Sequence, residues 1–178
     1  MSTLTTLRRY LIALSANDRT NELLCSRADK VDIITPLNDG QNITATRYPE
    51  MAIFLAVTRG VVKELKRGSY GWRYLNSYRN GSQTIKHVLE FYPDKDLLTA
   101  FVNPNVKGIG YVHTVDSSGF YEQSTIENYS TRKEVPATSS VKVTKKDLVF
   151  LEELNLTNNV YHLPLDLSVL VCTKHSKV

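Results

Sequence analysis

The chain is predicted to be mainly β, an antiparallel sandwich or barrel with one or two short helices. Three observations lead there. Tyr70, Trp72 and Tyr74 alternate with Ser69, Gly71 and Arg73, the period-two pattern of a strand with one buried face. Asn80-Gly81 follows as a hairpin turn, and Ile85, His87, Leu89 and Phe91 alternate again beyond it. Further short apolar runs are punctuated by Pro, Gly, Asn and Ser, which indicates strand-to-strand packing rather than βαβ units.

From the start of the chain, Leu4, Leu7, Leu11 and Leu14 recur at helical spacing and predict about three turns of helix, with Arg8 and Arg9 near its wet side. Residues 17 to 50 read as irregular apart from Val31–Thr35, a strand stopped by Pro36, and a second short strand over Asn42–Thr46. Pro49-Glu50 then opens a buried segment, Met51 to Val57, in which Ala, Leu and Met favour helix. Gly60 either ends that helix or is tolerated within it.

After the hairpin of 69 to 91 the runs Leu97–Val102, Gly110–Val115, Phe120–Ile126 and Val135–Val143 are expected to be strands, the last with Pro136 at an edge or start. Leu148–Leu151 and Leu165–Cys172 are the final candidates. Gly108-Ile109-Gly110 lacks the third glycine of a dinucleotide fingerprint and reads as a bend in a strand.

Length and composition fit one domain with a sizeable core: 178 residues, 42% hydrophobic and 22% charged. No apolar run approaches the ~18 residues that would cross a bilayer, so a soluble chain is expected. Cys25 and Cys172 form neither a disulfide framework nor a metal motif, and reduced thiols in a cytosolic setting are expected despite N-x-S/T sequons at Asn42, Asn80, Asn128 and Asn155. The net charge of +4 leans mildly toward anionic partners.

No nucleophile elbow, zinc-protease, P-loop or metal-ligand spacing is present, and His87, His113, His162 and His175 are scattered. The chain is therefore read as not an enzyme, with no cofactor and no metal. Lys63, Lys66, Arg67, Arg73 and Arg79 intermingle with Tyr70, Trp72, Tyr74 and Tyr78, as in single-strand nucleic-acid platforms. Alternation assigns those aromatics to one face of the strand, where core packing is the commoner use.

The order of several short motifs supplies a resemblance. Leu7-Arg8-Arg9-Tyr10-Leu11 stands near the start; Phe54-Leu55-Ala56-Val57 precedes Arg67-Gly68-Ser69 and an aromatic strand; Glu134-Val135-Pro136 leads into a late strand, and a final apolar strand follows. In this order the chain resembles the jelly-roll capsid proteins of picorna-like insect RNA viruses, of the dicistrovirus and iflavirus type. It departs from them in Ala137-Thr138 after the proline step, in the spacer Val61–Lys66, and in the missing strands before the first helix.

The resemblance implies one capsid-like β domain over residues 1–178, an antiparallel jelly-roll-like sandwich of two sheets, lacking its first strands. The function it implies is a structural protein of the virion, an oligomer-forming subunit of an icosahedral shell. Partners would be other capsid subunits and genomic RNA on the inner face, without a membrane; before assembly the subunit would sit in the host cytoplasm. Arg8, Arg9, Arg73 and Arg79 are the expected RNA or subunit contacts. The alternative is a small β-rich nucleic-acid-binding or host-interaction protein.

Overall fold

A computed structural model describes residues 22–36, 41–62, 70–79, 82–122, 128–148 and 161–164, with the backbone alone for 50, 70–79, 82–90, 122, 128 and 161–164. Among the described residues the chain is mainly β, with two helices and a curled half-barrel sheet. The strands are β1 (Glu22–Arg27), β2 (Ile33–Ile34), β3 (Ile43–Thr46), β4 (Tyr70–Arg79), β5 (Ser82–Phe91), β6 (Gly110–Asp116), β7 (Tyr121–Glu122), β8 (Asn128–Thr131), β9 (Val135–Val143) and β10 (Tyr161–Pro164). The helices are α1 (Pro49–Val61) and α2 (Lys95–Val102).

All strand pairs among the described residues are antiparallel. The larger sheet runs β2-β9-β6-β1-β3-β8-β7, and a smaller one runs β10-β5-β4. The expected hairpin is present in register, from Tyr70 opposite Phe91 to Arg79 opposite Ser82, and β10 adds to the far side of β5.

β1 occupies the middle of the larger sheet although the sequence assigned residues 17–30 to irregular chain. Leu23, Leu24 and Cys25 are all buried, so the strand has apolar residues on both faces and shows no alternation to read. Leu97–Val102 is helix rather than the expected strand. Leu97 and Phe101 are its buried residues, one helical turn apart, and the Asp94 carboxylate accepts from the Leu97 N–H at 2.8 Å as an N-cap. Val31–Thr35 contracts to the two residues of β2, and Phe120–Ile126 to the two of β7 within its described part. The Leu4–Leu14 helix, residues 149–151 and Leu165–Cys172 lie outside the described residues.

The two faces of the larger sheet build separate cores. On one face Leu24, Val112 and Val143 pack with Met51, Phe54 and Val57 of α1, Leu97 and Phe101 of α2, and Phe91 at the end of β5. Ser26 on β1 ties the helix down by donating its hydroxyl to the Ala52 carbonyl at 2.6 Å. On the other face Leu23, Cys25, Ile43, Ala45, Val115 and Val135 pack beneath Ile34, with Val31 and Phe120 at the margin.

Gly60 does not end α1; it sits in the last turn because that turn touches another backbone. A Cβ on Gly60 would lie 2.1 Å from the Ile109 carbonyl oxygen, and one on Gly110 would lie 2.1 Å from that of Ala56. Gly108 adds a positive φ of 61°, which favours glycine. The two-glycine fragment is thus the seat of a helix.

Lys145 supplies what α2 lacks at its C-terminus, since that helix has no basic residue in its own last turn. Its ammonium donates to the carbonyls of Ala100, Phe101 and Asn103 at 3.3, 2.8 and 2.7 Å. Replacing it in K145M, which keeps an apolar stem, is expected to cost about 1–2 kcal/mol in urea unfolding. A change near zero would show that water satisfies those carbonyls equally well.

Candidate functional site

Apart from Asp147, the described groups that are both buried and ionisable gather where the chain leaves β1. After Arg27 it turns back over residues 28–32, crosses the face of β6 and pairs as β2 with Val135 and Pro136 at the start of β9. The crossing is needed because β6 and β9 lie between β1 and β2 in the sheet. Two side chains of β1 and β6 take hold of it as it passes.

The first is His113, fully buried on β6 opposite Cys25. The Val31 N–H donates to its Nε2 at 3.1 Å, so Nε2 carries the lone pair and the neutral ring has its hydrogen on Nδ1. Nδ1 has no hydrogen-bond partner. Burial lowers the imidazole pKa from its ordinary 6.5, and the Arg27 guanidinium lowers it further. The Cys25 backbone opposes this without closing a hydrogen bond to Nδ1, and the Lys30 ammonium adds a smaller downward push.

The second is Arg27, 8% exposed at the end of β1. It donates to the Ser26 carbonyl at 2.8 Å and to the Thr35 carbonyl at 2.9 Å, so it pins the far end of the crossing segment. Arg59 from the last turn of α1 donates to the same Ser26 carbonyl from the other side. Burial, then the neighbouring Arg59, brings the Arg27 pKa down to about 10, which leaves it charged at neutral pH.

Cys25 lies between these groups, fully buried, with its thiol pushed up to about 11 by burial in spite of Arg27 and Arg59. A thiol this basic is protonated at neutral pH and is a poor nucleophile. The lone pair of His113 Nε2 is already occupied by Val31. The arrangement holds a segment of chain in place against the sheet.

Asp147 is a separate buried acid. Its Oδ2 accepts from the Thr144 N–H at 2.7 Å and closes a short turn, its Oδ1 has no partner, and burial raises its pKa. Among the described residues no group of three or more His, Cys, Asp or Glu could hold a metal ion. None of their helices is long and apolar enough to cross a membrane.

The residues singled out from the sequence are placed elsewhere. Arg73 and Arg79 stand on β4, opposite Val88 and Ser82, in the smaller sheet. Arg8 and Arg9 lie outside the described residues. His87 and His162 belong to β5 and β10 of the smaller sheet, whereas His113 belongs to the larger one. The structure therefore assembles Arg27, Arg59 and His113, which have no mutual spacing in the sequence that could have flagged them. No family model, curated protein or solved structure matches the chain.

Proposed function

We propose that the chain is a structural subunit of an icosahedral viral capsid, assembling with other coat subunits around an RNA genome. The observation that carries this reading is the pair of edges of the larger sheet. Among the described residues it ends in β2 on one side and β7 on the other, and each presents a large apolar side chain to solvent. Ile33 is 55% exposed and Tyr121 is 50% exposed.

Within the described residues both edge strands are only two residues long, which limits strand addition along their backbones. Apolar side chains at both edges suit burial against neighbouring chains instead. The motif order from Leu7-Arg8-Arg9 through Glu134-Val135-Pro136 supports the same reading, as does an all-antiparallel strand arrangement. In it the two sheets form a jelly-roll-like sandwich. Cys25 and His113 are consumed by packing, so the reading asks no catalysis of them.

Native sizing and electron microscopy test the proposal. Large oligomers or particles are expected, and the double variant I33K/Y121K should shift them to monomer while the fold survives. A wild-type chain that stays strictly monomeric at high concentration, with no partner chain, would remove it. One observation favours a second reading, a small nucleic-acid-binding or host-interaction protein: β4 carries both Arg73 and Arg79. A monomer whose RNA affinity and salt dependence fall in R73Q/R79Q would support that one.

A further inference from the structure

We propose that residues 28–36 form a pH-sensitive strap, held against the sheet by neutral His113 and released when Nε2 takes up a proton. The proposal is independent of assembly. It rests on how few contacts secure the segment and on what one of them requires.

Among the described residues four groups of contacts hold the strap. Val31 N–H donates to His113 Nε2, Arg27 donates to the Thr35 carbonyl, Ala137 N–H donates to the Asp32 carbonyl at 2.8 Å, and β2 pairs with Val135 and Pro136. The apolar contribution comes from fully buried Ile34, with Val31 beside it, against Leu23, Cys25, Val115 and Val135. Ile33, Asp32 and Thr35 are exposed, so the strap is thin.

A proton arriving from solvent at Nε2 would convert the one acceptor available to Val31 into a donor. Two N–H groups would then face each other, and the Val31 bond must break. Among the described residues, the charged groups that act on the imidazolium are positive. Arg27 faces it from β1 and Lys30 from the strap itself, while the thiol of Cys25 on β1 is neutral. Its own strand contributes Tyr111, a ring 6.4 Å away, and its register partner on β9 is Ser140. Arg59 of α1 adds a further positive charge at the Ser26 carbonyl. Swinging the strap away admits water and separates Lys30 from the ring.

The sign follows from the lowered pKa. The strapped state binds the proton less readily than the open one, so the closed form is fully favoured above the ordinary imidazole value of 6.5. Below it the opening equilibrium rises, approaching tenfold per pH unit for one proton, and levels off beneath the pKa of the strapped state. Opening would bare the first residues of β9 as a new sheet edge, together with the apolar patch around Val115 and Val135.

Amide hydrogen exchange on the intact chain, corrected for intrinsic rates, tests this between about pH 7.5 and pH 4.5. Protection of the Val31 and Ala137 amides is expected to fall with the single-proton slope while the β1–β6 ladder stays protected. Unchanged protection at Val31 overturns the proposal, and so does parallel loss throughout the ladder, which would be global unfolding. H113Q, an uncharged acceptor, should abolish the pH step; a step that persists in H113Q also overturns it. If H113Q does not fold, the wild-type ring decides. The His113 Nε2 nitrogen must titrate within the pH range over which Val31 protection falls, and titration outside that range refutes the strap.

Discussion

Replacing Gly110 with valine is expected to cost at least about 3 kcal/mol of stability and is the most disruptive single change considered for the described core. A Cβ there would stand 2.1 Å from the Ala56 carbonyl oxygen and 2.4 Å from its carbon. Both atoms are backbone, so no rotamer change relieves the overlap, and α1 must lift from β6. Lifting it opens the core in which Val57, Phe54 and Val112 meet, and it pulls Ser26 from the Ala52 carbonyl. Gly60 faces the same constraint from the other side, against Ile109. Gly119 has nothing within 4 Å of its would-be Cβ, so G119A serves as the control and should change stability by no more than about 0.5 kcal/mol. Urea unfolding of the two variants measures the contrast. Equal midpoints for G110V and G119A would show that the helix does not seat on this strand.

Truncating Phe54 to alanine should cost about 3–5 kcal/mol, the usual range for an aromatic ring lost from a packed core. Phe54 is fully buried and meets Phe91 edge-to-face at 4.9 Å, and Phe91 meets Phe101 at 5.2 Å. These three rings come from α1, β5 and α2, so they join the smaller sheet to the helix layer of the larger one. Edge-to-face geometry adds about 0.5–1.5 kcal/mol beyond the buried area, so F54L should recover most but not all of the loss. Hydrogen exchange offers a second readout: amides of the β4–β5 hairpin should lose protection in F54A more than those of β1 and β6. Uniform loss would mean that the rings do not form the joint between the sheets.

Some elements followed directly from local signals in the sequence. The hairpin of β4 and β5 was legible from alternation and Asn80-Gly81, α1 from Pro49 and its Ala/Leu/Met content, and β9 from the run Val135–Val143 with Pro136 near its start. α2 was misread although its signals were present. Asp94 precedes Leu97 by three residues and Phe101 follows Leu97 by four, which is a cap and a helical face rather than a strand. β1 could not be read by period, because burial on both faces erases the alternation.

The buried cluster lay beyond local reading for a different reason. Cys25, Arg27, Arg59 and His113 are ordinary residues in ordinary surroundings along the chain. Their properties arise only when β1 and β6 pair and the crossing segment covers them. Burial then raises the thiol, lowers the guanidinium and imidazole, and makes the Val31 N–H depend on one lone pair.

By itself, then, the sequence determined a β-rich chain with a buried helix after Pro49 and a tight hairpin around Asn80-Gly81, since these depend on residue periodicity, proline geometry and turn chemistry within a few positions. Only the tertiary structure decided that β1 is the central strand, that Gly60 and Gly110 seat α1 against β6, and that His113 holds the crossing strap. Each of those rests on contacts between segments distant in the chain, whose burial and backbone approach exist only once the sheet has formed.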